Sequence, residues 1–172
     1  MDVFVEQLVV IKQDIKIITF KFALILLGVL LAVGLFSLSF FFPSFSFILY
    51  LLAVGSIYGG YWFCGQLNNE FEYIVTNNEI DIDRITNKKK RVRMANFTTS
   101  DILAIEKYDP NRHKPIKANN INVYFGCTPD DTALTFKIKH PRHGHYYLVI
   151  TPNDDVKNAI KKFLPYTLKN SI

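Results

Sequence analysis

The chain has 172 residues and a formal net charge of +5, which leaves room for one ordinary domain of about 100 to 150 residues plus an anchor and too little for a second folded domain. The charge is unevenly spread. No Asp, Glu, Lys or Arg occurs between Lys21 and Glu70, and from Gln66 onward 17 Lys and Arg stand against 12 Asp and Glu, so the whole excess belongs to the soluble part. Two cysteines, Cys64 and Cys127, give no disulfide framework and favour a reducing compartment.

At the N-terminus Phe4, Leu8, Ile11, Ile15 and Ile18 recur at three- and four-residue steps, with Glu6, Gln7, Lys12, Gln13, Asp14 and Lys16 elsewhere on the wheel. This spacing predicts an amphipathic helix over residues 1–21, lying in a membrane interface or packed on the soluble domain. Phe22 to Phe42 follows as an uncharged apolar run of 21 residues, about the 20 that a helix needs to cross the hydrocarbon core. Pro43-Ser44 interrupts it, and a second run from Phe45 to Cys64 ends in Tyr58, Tyr61 and Trp62, side chains suited to the headgroup region. Residues 22–65 therefore predict a two-helix transmembrane hairpin. Acidic Asp2 and Glu6 and the late start of the apolar run argue against a cleaved signal peptide. Lys12, Lys16 and Lys21 precede the first span while the inter-helix turn is uncharged, which places both termini in the cytoplasm and the protein in the cell membrane. Gly55 and Gly59 form a small-xxx-small pair, expected to pack on the first helix through Gly28 and Ala32, with a dimer interface as the alternative.

Residues 66–172 read as a cytoplasmic domain. Glu70 to Thr76 alternates, Asn77-Asn78 turns the chain, and Ile80 to Ile85 returns as a hairpin. Arg91 to Phe97 continues the sheet and brings basic residues beside the acidic strand. A shorter strand at 102–108 precedes a polar loop at 109–120, and three further strands are expected at Ile121 to Gly126, Thr132 to Lys139 and His145 to Thr151. One helix closes the chain, with Thr151 as N-cap, Pro152 at the first helical position, Asp154 and Asp155 in the first turn, and Pro165 beyond its end. Its apolar stripe is Val156, Ala159, Ile160 and Phe163. A transmembrane hairpin plus an α+β, mainly β, domain of seven strands and one helix is the element order of a pleckstrin-homology-like bent sheet or barrel.

The opening Met1 to Gln7, the short double span, and Glu72 to Ile85 followed by a Lys/Arg cluster resemble an uncharacterised family of small membrane proteins of Gram-positive anaerobic bacteria. The resemblance covers nearly the whole chain. It implies a domain similar to membrane-anchored bacterial pleckstrin-homology domains and carries over no catalytic or ligand residue.

Asp81 and Asp83 share one strand face and could pair around a metal, but the basic residues at hairpin distance make cross-strand ion pairs the expected reading. His140, His143 and His145 surround a turn and lack an evident fourth ligand. Cys64 fits packing, with S-acylation as the alternative, and Cys127 has no base partner in sequence. No metal, cofactor or catalytic set is therefore expected, and nucleic acid is a poor partner. The cluster Lys88, Lys89, Lys90, Arg91 and Arg93 is the feature best suited to binding, either to anionic lipid headgroups or to a protein partner, with a solvated turn paired to Asp81 and Asp83 as the competing reading. The expected role is a non-enzymatic, membrane-anchored binding or adaptor module. An accessory subunit of a larger membrane complex and a metal-dependent membrane enzyme are the alternatives.

Overall fold

The computed structural model describes residues 2–112, 122–140 and 144–172, with His140 described by its backbone alone. The chain forms two compact units, Lys12–Asn69 and, as one body, Met1–Ile11 with Glu70–Ile172.

Among the described residues the larger unit is built of two four-stranded sheets and a helix. The first sheet has the order β1 (Phe4–Val10), β2 (Asn69–Thr76), β3 (Glu79–Thr86), β4 (Lys90–Thr98). The second contains β5 (Ile102–Lys107), β6 (Asn122–Phe125), β7 (Leu134–His140) and β8 (Gly144–Ile150) in the order β5-β7-β8-β6, with β6 parallel to β8. Ile80, Ile82, Phe136, Ile138, Leu148 and Ile150 are fully buried between the sheets, and Val156, Ala159 and Ile160 of α3 (Asp154–Phe163) join the same core.

The amphipathic helix expected over residues 1–21 is not formed. Those residues supply β1, which pairs antiparallel with β2 from Phe4 opposite Thr76 to Val10 opposite Glu70. Over so few residues the two periodicities overlap, and Val3, Val5, Val9 and Ile11 carry the period of two: all four pack against the core, while Phe4, Leu8 and Val10 stay exposed. Outside the ladder, Val3 N donates to Asn77 Oδ1 (2.9 Å) and Asn77 N to Val3 O (2.8 Å). Gln7 ties β1 to the start of α3, donating through Nε2 to Thr151 O (3.1 Å) and accepting from Asn153 N (2.8 Å). Among the described residues the sheets thus have eight strands, and the domain is discontinuous, with the helical hairpin inserted between its first two strands. The expected boundaries at 21 and 66 give way to Ile11 and Glu70.

The helix cap also shifts. Asn153, not Thr151, is the N-cap: its Oδ1 accepts from Val156 N at 2.9 Å, satisfying one of the first-turn donors. Leu164 leaves the helix in extended conformation, as a residue before proline prefers.

The smaller unit pairs α1 (Ile15–Ser39) with α2 (Ser46–Gln66) across a short 3-10 turn at Pro43–Phe45. Both helices are long and apolar enough to cross a membrane, and only 17% and 6% of their most apolar stretches are buried, unlike the core helix of a soluble protein. Gly28 marks the close approach, since a Cβ there would lie 2.9 Å from Ser56 O, and Ser56 Oγ donates to Gly28 O (3.1 Å). The helices therefore meet through Gly28, Ser56 and Gly60, whereas Gly55 and Gly59, the pair expected at this contact, have nothing within 4 Å of a built Cβ. At the open end of the hairpin Lys21 Nζ donates to Gln13 Oε1 (2.7 Å) and Asn68 Oδ1 (2.6 Å), and Gln13 Nε2 donates to Asn68 Oδ1 (2.8 Å).

Candidate functional site: the charged face and basic turn of the first sheet

The candidate residues converge on β2, β3 and β4, and a bulge decides how. Ile82 lies opposite Ala95, but Asp83 lies opposite Arg93, so Met94 is an extra residue in β4. Ala95 and Phe97 point into the core. Strict alternation would send Arg93 and Arg91 after them; the added residue reverses the phase and turns both arginines to the acidic face.

There Arg91 Nη2 lies 2.6 Å from Glu72 Oε2 and its Nε 3.9 Å from Asp83 Oδ2. Arg93 Nε lies 3.5 Å from Asp81 Oδ1 and 3.8 Å from Asp83 Oδ1, and Asn96 Nδ2 donates to Asp81 Oδ1 at 2.7 Å. Glu72 and Asp83 are buried, and neither Glu72 Oε2 nor Asp83 Oδ1 accepts a well-directed hydrogen bond. The 2.6 Å approach of Arg91 is thus an ion contact off the hydrogen-bond angle. Burial raises the Glu72 carboxyl above the usual carboxylate range, helped by a hydrogen bond with Glu6 and the Glu6 and Asp83 charges, while Arg91 pulls it down.

The basic cluster therefore divides. Arg91 and Arg93 are committed to carboxylates of their own sheet, whereas Lys88, Lys89 and Lys90 are exposed and, among the described residues, pair with no carboxylate. Their turn is tight: Lys89 N donates to Thr86 O (3.1 Å), and Asn87 and Lys88 have φ of 53° and 55°. Two successive left-handed residues match the twist of antiparallel strands, a role that asparagine fills readily and lysine poorly.

The remaining candidates fall elsewhere. His145 is exposed on β8 opposite Lys139, while His143 and the His140 side chain lie outside the described residues. Among the described residues no group of three His, Cys, Asp or Glu is placed to hold a metal. Cys64 is half-buried at the end of α2, its Sγ donating to Lys21 O (3.4 Å). Cys127 is buried beside Tyr73, and burial pushes its thiol up to about 11. Tyr73 Oη donates to Gly126 O (2.7 Å) and accepts from Thr151 N (3.3 Å), which makes this pair a satisfied part of the core. Glu72, Glu6 and the bulge carry no motif of their own; the one local signal in the sequence is an isolated Met between two alternating runs, Arg91-Val92-Arg93 and Ala95-Asn96-Phe97.

No curated protein and no solved structure matches the chain. A family model described as a bacterial PH-like domain (DUF6106) matches residues 1–170, strand β1, hairpin and domain together. By that match over nearly its full length, the chain belongs to this family of bacterial PH-like domains.

Proposed function

We propose that the protein is a non-enzymatic binding module held at the cytoplasmic face of the cell membrane by its two helices, and that Lys88, Lys89 and Lys90 are its docking residues for an anionic ligand. The ligand is either lipid headgroups or an acidic segment of a protein. The observation that carries this reading is the division of the basic cluster, in which two arginines are neutralised within the sheet and three lysines are left exposed on a projecting turn. A PH-like domain inserted around a membrane-length hairpin suits a tethered binder. Orientation follows from Lys12, Lys16 and Lys21 flanking the first span against an uncharged inter-helix turn. Arg91 and Arg93 serve as supports that keep the acidic face closed.

The full chain, purified from gently solubilised membranes with Lys88, Lys89 and Lys90 intact or replaced by Gln, tests this. Loss of co-purifying protein or anionic lipid in the variant is the expected result; identical complements for the two forms refute it. One observation favours a second reading: Gly55 and Gly59 on α2 have open space beside them, as a helix packing on a larger membrane complex would. In that case the hairpin alone, residues 12–69, co-purifies with the complex.

A further inference from the structure

The course of the strands places the basic turn at a particular end of the first sheet. β1 ends at Val10 opposite Glu70, and β2 runs from there to Thr76. β3 returns from Glu79 to Thr86, and β4 departs again from Lys90 opposite Thr86. The turn joining them, residues 87–89, therefore lies at the same end of the sheet as Val10 and Glu70, while Asn77-Asn78 marks the opposite end. Val10 and Glu70 are also where the chain leaves the domain for the hairpin. Only residues 11–14 separate β1 from α1, and only residues 67–68 separate α2 from β2. Even fully extended, such linkers reach about 10 to 20 Å. Two short covalent tethers thus issue from the end of the sheet that carries the three free lysines.

A second observation concerns Lys88 itself. Its φ of 55° puts a lysine in the left-handed region, where every side chain with a Cβ is disfavoured and only Gly, Asn and Asp sit at low cost. No carboxylate among the described residues offsets that conformation. A local rule is broken without a structural return, which marks a residue retained for what it contacts outside the domain.

We infer that Lys88, Lys89 and Lys90 bind the phosphate-bearing headgroups of the leaflet from which the hairpin itself emerges, so that the domain is held in cis by two tethers and one electrostatic contact. The inference rests on the docking role proposed above and names its partner as lipid rather than protein. Ammonium groups suit this task because they act as point charges toward a mobile anionic surface, whereas the forked guanidinium groups of Arg91 and Arg93 are used on fixed carboxylates within the sheet.

The test uses the full chain in nanodiscs, with Cys64→Ser and the buried Cys127 retained. A fluorophore is placed at Lys89→Cys, which leaves Lys88 and Lys90 to make the contact, or, at the other end of the sheet, at Asn78→Cys, and is quenched by nitroxide-labelled headgroups. With phosphatidylglycerol present, quenching at position 89 should exceed that at 78 several-fold. The excess should shrink in phosphatidylcholine alone and at about 1 M NaCl, where the Debye length falls to about 3 Å. Adding Lys88→Gly, which suits the turn, should reduce the excess without loss of fold. Equal quenching at the two positions, or stronger quenching at 78, overturns the inference. Strong quenching at 89 that ignores both lipid charge and salt also overturns it, because the tethers alone would then explain proximity. If position 89 fails these criteria while the lysine-to-glutamine variant still loses a co-purifying protein, the docking role stands and its ligand is protein.

Discussion

Excising the hairpin while keeping β1 separates the fold described here from one in which the soluble domain begins at residue 66. The perturbation joins Ile11 to Asn69 through an Asn-Gly turn, which suits a two-residue connection between antiparallel strands in the observed register. The comparison protein is the fragment Gln66–Ile172, which lacks β1. Val3, Val5, Val9 and Ile11 are each partly buried against the core, and at roughly 1 kcal/mol for a half-buried aliphatic side chain they contribute about 4 kcal/mol. The β1–β2 ladder and the bonds to Asn77, Thr151 and Asn153 add to that. Against a typical total of 5 to 15 kcal/mol, the loss leaves the fragment marginal or unfolded. Urea denaturation followed by Tyr fluorescence and far-UV circular dichroism gives the comparison. The excised chain should unfold cooperatively, whereas the fragment should show no cooperative transition or a midpoint lowered by more than about 1 M, given a urea slope of about 1 to 3 kcal/mol per M. Equal midpoints would refute the assignment of β1 to the domain.

The other expectations use the same excised domain. Lys88→Gly relieves a left-handed lysine and should stabilise by about 0.5 to 1 kcal/mol in urea titrations, the unfavourable conformation outweighing the added chain entropy. Glu72 holds its proton more tightly folded than unfolded, so its contribution is complete below the ordinary value of 4.5 and is lost as the pH rises through the raised one. Glu72→Gln should therefore flatten the fall in stability on that limb; an unchanged pH profile would count against the shift. Deleting Met94 removes the bulge but keeps Ala95 opposite Ile82 and Arg93 opposite Asp83, so both arginines stay on the acidic face. The deletion variant should still unfold cooperatively in urea, losing only the packing of Met94 against the core, while Met94→Leu, which keeps the extra residue, should cost under about 1.5 kcal/mol.

What the sequence disclosed is uneven for physical reasons. The two apolar helices and strands β2 to β5, β7 and β8 are long or strongly alternating, and their types were legible from pattern alone. β1 was misread because seven residues cover only two helical turns, and Phe4, Leu8 and Ile11 satisfy a helical spacing while Val3, Val5, Val9 and Ile11 satisfy that of a strand. Only the partner strand, sixty residues away, decides between them. In the charged face, the pairing of Asp81 and Asp83 with Arg93 followed from hairpin distance, but Glu72 joins them through a strand order that no local pattern carries. The expected role of Gly55 and Gly59 failed because small residues permit close approach on either side of a helix and do not say which side is used.

The insertion of the hairpin between hydrogen-bonded neighbours also constrains how the protein is made. β1 leaves the ribosome first and has no partner until the hairpin and β2 have followed, a delay of several seconds at about 5 to 20 residues per second. Should only one of the two helices cross the bilayer, β1 and β2 would be left on opposite sides of roughly 30 Å of hydrocarbon and could never pair. Completion of the sheet thus requires that β1 and β2 end on the same side, and a chain in which only one helix crosses is left with an open strand edge and an unsealed core, the features by which quality control recognises it.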